Sequence, residues 1–211
     1  MDYPDARVQF LAATTIVQLD PGKPFPGSEN VVAILARALG SGPAERTAVD
    51  DADLQRGGTA EERAEKAAAA VDWLAQVATS QRTDVFNLAS AEGALVGALA
   101  DSSLIPQALL AMSVIPSQNV QVRFFEIATG AQLSADLRET AATYLTSHIQ
   151  RFGLKLSREQ VAALESAWQA SADSAEASAL AAAVGSLQPN SRTVGSRLKS
   201  IPVPVAAPAE Q

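Results

Sequence analysis

The stretch SADLRETAATYLTSHIQRFG, from Ser134 to Gly153, carries Leu137, Ala141, Tyr144, Leu145 and Ile149 at intervals of three, four and one. Side chains so spaced line one side of a helix with 3.6 residues per turn, so the segment predicts an amphipathic helix with one buried stripe. Ser134 stands where an N-cap belongs, and Gly153 where a left-handed residue would close the last turn. The same spacing recurs outward from this stretch. From Thr59 to Leu187 almost every apolar residue falls at i, i+3, i+4 or i+7, and no run alternates with the period of a strand. The expected fold class is all-α: antiparallel helix hairpins stacked as a short α-solenoid.

On the N-terminal side, Thr59-Ala60-Glu61-Glu62 reads as a capping box. It opens a helix to about Arg82, with Ala67, Ala70, Val71, Leu74 and Val77 inward and Trp73 at one edge. Helices follow from about Leu88 to Ala100, from Asp101 to Pro116, and from Ser117 to Ala128; the last, with Val122, Phe124, Phe125 and Ile127, is the most hydrophobic stretch of the chain. Beyond Gly153, Ser157-Arg158-Glu159-Gln160 reads as a second capping box before Val161, Leu164 and Trp168, and an Ala-rich helix closes the pattern near Leu187. At the start, Asp5 to Leu19 predicts a helix whose inward stripe is Val8, Leu11, Ala12, Ile16 and Leu19. Three prolines and two glycines in Asp20–Gly27 break it, with Phe25 as a plug between the flanking helices. Ser28 then caps a helix over 29–39 that buries Val31, Val32, Leu35 and Leu39. The expected organisation is a hairpin over 1–40, a polar loop over 41–58, a helical repeat domain over 59–187, and a Pro-rich tail over 188–211 expected to be disordered.

Composition narrows the function classes. Aromatics make up only 5% of a chain that is 47% hydrophobic, so the core must be built from Ala, Leu, Val and Ile, whose small volumes let helix axes approach closely. Sixteen Lys and Arg against 23 Asp and Glu give a net charge of −7, which argues against nucleic acid and anionic membrane as partners. The chain has no cysteine, which removes disulfides, thiol nucleophiles and thiolate metal sites. Asp2 and Asp5 stand where a secretory signal would carry positive charge, and no apolar run of about 18 residues is present, so a soluble cytoplasmic protein is expected.

Three segments open with a degenerate Asp-x-x-Val-Arg-like pattern: Asp5-Ala6-Arg7-Val8, Asn119-Val120-Gln121-Val122-Arg123, and Asp136-Leu137-Arg138 with Ala141 and Leu145. In this they resemble HEAT-type repeats. A closer likeness, to a group of bacterial HEAT-like proteins, lies in Pro24-Phe25-Pro26-Gly27-Ser28 with Val31-Val32, and in His148 to Leu154 with Leu156-Ser157. It covers most of residues 5–170 in order. The resemblance implies a HEAT-like α-solenoid, corresponding to a shortened or partial form of a longer family member. In that group a receiver-like α/β domain is often inserted after the early hairpin. Here Arg46 to Gly57, with Asp50, Asp51 and Asp53, resembles the first strand and acidic pair of such a domain. A phosphoacceptor site also needs an Asp on a central strand and a later Lys, and those strands are missing. Asp50 and Asp51 therefore read as a relic or a solvated loop.

The remaining candidates favour binding over chemistry. His148 is the only histidine, so no multi-His metal site or His-based triad can form; it reads as a helix-flank residue with local hydrogen bonds. Glu61, Glu62 and Glu65 sit at a helix start, where capping and the dipole account for them. Gly57-Gly58-Thr59 lacks the Gly-Lys-Ser/Thr of a phosphate loop. No catalytic residue, metal ligand or cofactor site is expected. The candidate partner-binding residues are Trp73 and Trp168, since Trp is enriched at interaction hot spots, and Arg192, Arg197 and Lys199, in a stretch free of Asp and Glu between Glu176 and Glu210; the plainer readings, which the sequence favours, are packing-edge residues for the tryptophans and a solvated tail for the cations. The expected function is a non-catalytic scaffold that binds another protein or another copy of itself. The alternative is a signalling protein whose Asp50/Asp51 element senses Mg²⁺ or phosphate. An enzyme-accessory or lyase-like repeat is a weaker third, without a site to support it.

Overall fold

A computed structural model describes residues 5–40, 59–80, 82–171 and 175–187. The expected loop over 41–58, including Asp50 and Asp51, and the expected tail over 188–211 lie outside the described residues. Within them the fold is all-α, with no strand. The helices are α1 (Ala6–Gln18), α2 (Ser28–Gly40), α3 (Ala60–Thr79), α4 (Glu92–Ala98), α5 (Ile105–Met112), α6 (Gln118–Ala128), α7 (Ala135–Phe152), α8 (Arg158–Ala170) and α9 (Ala175–Ser186), with a 3₁₀ turn at Leu88–Ala91.

Local chemistry accounts for several boundaries. At the start of α3 the Thr59 Oγ1 accepts from the Glu62 N–H at 3.2 Å while the Glu62 carboxylate accepts from the Thr59 N–H at 2.8 Å. Ser157 and Gln160 repeat the arrangement at α8, at 3.2 and 2.9 Å. Ser134 caps α7. Gly153 ends α7 with φ 78° and ψ 168°, a conformation that costs an L side chain strain but not glycine. The expected Leu88–Ala100 helix is shorter, a 3₁₀ turn leading into seven α-helical residues.

Cross-links fix the helix directions. Gln9, early in α1, accepts from the Arg37 guanidinium near the end of α2, so α1 and α2 are antiparallel. Lys66 lies over the Phe10 ring at 5.3 Å, and Arg82, just past α3, holds Asp20, just past α1, through two bonds of 2.7 and 2.9 Å; α1 and α3 are parallel. Glu92 at the first residue of α4 accepts from Ser117 and Asn119 at the start of α6, aligning those two helices. Gln121 and His148 make α6 antiparallel to α7, and Arg138 with Glu176 makes α7 parallel to α9. Among the described residues, every substantial helix contact joins helices one or two places apart in the chain. Odd-numbered helices thus form one layer and α2, α4 and α6 the other, each pair stacking on the previous one.

The core between the layers is continuous and rich in alanine, with Ala70, Ala91, Ala108, Ala111, Ala141 and Ala142 all fully buried beside Leu35, Leu74, Leu95, Leu109, Leu145 and Leu164. The small side chains are what let the layers close. Phe25 packs edge-on against Phe86 with ring centroids 6.3 Å apart, so the plug in the first turn meets the loop after α3.

Candidate functional site

The first described helix, α1, departs from the sequence expectation: of the expected inward stripe Val8, Leu11 and Leu19 are exposed, whereas Ala12 is half-buried and Ile16 packs against the core. Ala13, Thr14 and Val17 are buried, with Phe10 and Ile16 partly so, whereas Val8 is 45%, Leu11 68% and Leu19 75% exposed. At about 100° per residue, Val8, Leu11, Ala12, Thr15 and Leu19 fall within an arc of about 100° on the outer side. The helix has two apolar arcs, and the inward one is the set with Phe10, which reaches under Lys66 of α3. Thr15 adds little polarity to the outer arc, because its hydroxyl donates to the Leu11 carbonyl at 2.8 Å. None of the five residues carries charge, so the first helix presents an uncharged, largely apolar stripe to solvent.

At the other end of the stack, α8 is thinly attached, with Leu164 its one buried residue. Trp168 stands 40% exposed on it. Trp73 differs: it is half-buried on α3 and packs against the core. The two tryptophans lie on helices at different ends of the stack and do not form one surface. Arg192, Arg197 and Lys199 lie outside the described residues.

His148 is not the helix-flank residue expected. It is 1% exposed, enclosed by Phe124 (5.6 Å between centroids) and Phe152 (4.7 Å), and its partners are distant in sequence. Its Nε2 lies 2.8 Å from the Ile115 carbonyl oxygen, which can only accept, so Nε2 carries the proton. Its Nδ1 lies 3.1 Å from Nε2 of Gln121, whose side chain is fully buried. Gln121 donates its other N–H to the Gly153 carbonyl at 3.0 Å and accepts the Lys155 N–H at 2.6 Å. Burial holds the imidazole pKa below its ordinary value; the bond to Ile115 opposes this, and the cations Lys155 and Arg151 reinforce it. Every polar atom of the pair is satisfied. Gln121 escaped the sequence reading because a glutamine inside an apolar stretch is indistinguishable there from a solvent-facing one.

Arg138 and Glu176 pair at 2.7 Å with both side chains largely covered, and tie α9 to α7. Among the described residues no three His, Cys, Asp or Glu side chains cluster as a metal site would require, and no helix is long and apolar enough to cross a membrane. The most developed surface feature is therefore the outer arc of α1. No protein-family model matches the sequence, and comparison with curated proteins and with solved structures likewise returns no match.

Proposed function

We propose that the protein is a cytoplasmic, HEAT-like helical-repeat scaffold that acts by binding, and that it docks a helix of another protein, a second copy included, on the outer arc of α1. The observation that carries the reading is the exposure of Val8, Leu11 and Leu19 on one uncharged face. In a stack of helix pairs each pair buries its faces against its neighbours, and a face that is polar on its outer side stays in solvent without a further partner. The outer side of α1 has the character of an internal face, and a further helix laid along it would continue the odd-numbered layer. Trp168 on α8 is a secondary anchor at the opposite end.

The test is co-purification from cell extract with mass spectrometry, alongside light scattering of the purified chain over a concentration series. Wild type, Leu11→Glu with Leu19→Glu, and a form ending at residue 187 are compared. The expected outcome is a captured protein, or a concentration-dependent increase in mass, that the double variant loses and the shortened form keeps. An unaltered partner set and mass in the double variant, with its helical spectrum intact, would remove α1 from the binding surface.

A further inference from the structure

The buried pair of Gln121 and His148 ties three separate pieces of chain to one ring. His148 belongs to the last turns of α7, Ile115 follows α5, and Gln121 on α6 holds Gly153 and Lys155 in the turn that leads to α8. The donors and acceptors close only for a neutral imidazole. With Nδ1 unprotonated, one Gln121 N–H points at it and the second at the Gly153 carbonyl, leaving the amide oxygen for the Lys155 N–H.

A proton on Nδ1 turns that acceptor into a donor facing the Gln121 amide nitrogen. Rotating the amide by 180° would offer the ring its oxygen. The same rotation sets the amide N–H groups against the Lys155 N–H, so both the Lys155 and the Gly153 bonds are given up. No single amide orientation serves the imidazolium and the turn together. The charged groups acting on the ring are Lys155 on the turn and Arg151 on α7, both cationic; the turn after α5 presents to it the Ile115 carbonyl, and α6 the Gln121 amide and the Phe124 ring.

We infer that His148 and Gln121 form a proton-sensitive latch: protonation of the ring releases the turn at Gly153–Lys155 and loosens α8 from the stack. α8 is suited to be the part that moves, since Leu164 is its one buried residue. The consequence extends to the surface, because α8 carries the exposed Trp168. This inference is independent of the binding role proposed for α1.

A single histidine makes the test direct, since its two ring nitrogens give an unambiguous pair of ¹⁵N signals. Those shifts are followed on the full chain from pH 7.5 to pH 4.5, together with amide exchange at Lys155 and at Leu109 in α5, corrected for the intrinsic pH dependence of exchange. The expected result is an Nε2–H tautomer at pH 7.5, and at least a tenfold fall in Lys155 protection whose midpoint coincides with ring protonation, while Leu109 keeps its protection. His148→Gln retains a donor for the Ile115 carbonyl and cannot titrate in this range, so it should hold Lys155 protection constant. The inference is overturned by a ring that stays neutral to pH 4.5, by an Nδ1–H tautomer, by protection at Lys155 that ignores ring protonation, or by simultaneous loss at Leu109. The wild-type measurements decide the matter even where the variant does not fold.

Discussion

Gln121 shows how much one side chain can carry when all its hydrogen-bonding capacity is used inside a core. It satisfies one ring nitrogen, one carbonyl and one backbone N–H at once. Replacing it by leucine, close to it in volume, leaves the buried His148 ring nitrogen without a partner and frees the Gly153 carbonyl and the Lys155 N–H, which lie on an exposed and a half-buried residue. An unpaired buried group costs about 1–3 kcal/mol and water can reach the two turn groups, so Gln121→Leu should lower unfolding free energy by about 1–3 kcal/mol in a urea titration. A loss under about 0.5 kcal/mol would mean that water or backbone movement replaces the amide. Leu145 tests the apolar counterpart. It is fully buried between α7 and its neighbours, and Leu145→Ala should cost about 2–5 kcal/mol from lost transfer energy and the cavity left behind. A near-neutral result would contradict the facing of α7. Leu145 was legible from spacing alone; Gln121 and His148 were not, because helical periodicity registers apolar side chains and is silent on polar ones that find partners across helices.

Among the helices, α7 and α1 mark the range of what a sequence pattern determines. α7 has one apolar stripe bordered by charged and hydroxyl residues, so its burial follows from its spacing. In α1 the apolar residues divide between two arcs, one with Val8, Leu11 and Leu19 and the other with Phe10, Ala13 and Val17. Spacing reveals both arcs, but only packing against α2 and α3 decides which turns inward, which is why Val8, Leu11 and Leu19 of the expected stripe came out exposed while Ile16 packs on the core. Val85 and Phe86, both buried, were missed for a different reason: they lie in a short irregular connection without any period. Caps, by contrast, are written locally, and both capping boxes formed as expected. Ser157→Ala should cost about 1 kcal/mol. With only Leu164 buried on α8, that loss should show as faster amide exchange confined to α8. Exchange spread evenly over the chain would mean that α8 unfolds only with the whole molecule.

For the whole molecule, the absence of substantial contacts beyond second neighbours sets the reach of any local damage among the described helices. Stability in such a stack is a sum of terms from each pair and its adjacent interfaces. Leu35→Ala, in the fully buried face of α2, should reduce amide protection in α1–α3 at least tenfold, while α7 and α9 stay within about twofold of wild type. Equal loss across all helices would reveal one cooperative block. Circular dichroism should meanwhile show a helix-dominated spectrum; a fit requiring about 15% strand or more would place a sheet outside the described helices.

The same near-neighbour arrangement has a consequence for how the chain comes off the ribosome. Residues emerge at about 5–20 per second, whereas helix pairs with short connections close in microseconds to milliseconds. Once Arg82 is out of the exit tunnel, everything that α1, α2 and α3 require of one another is present, the Asp20–Arg82 tie included. Each later helix then arrives to find its substantial partners already made, apart from the next one or two still to come. Among the described helices, assembly can thus proceed in the order of synthesis, with no early helix held open for one more than two places further along.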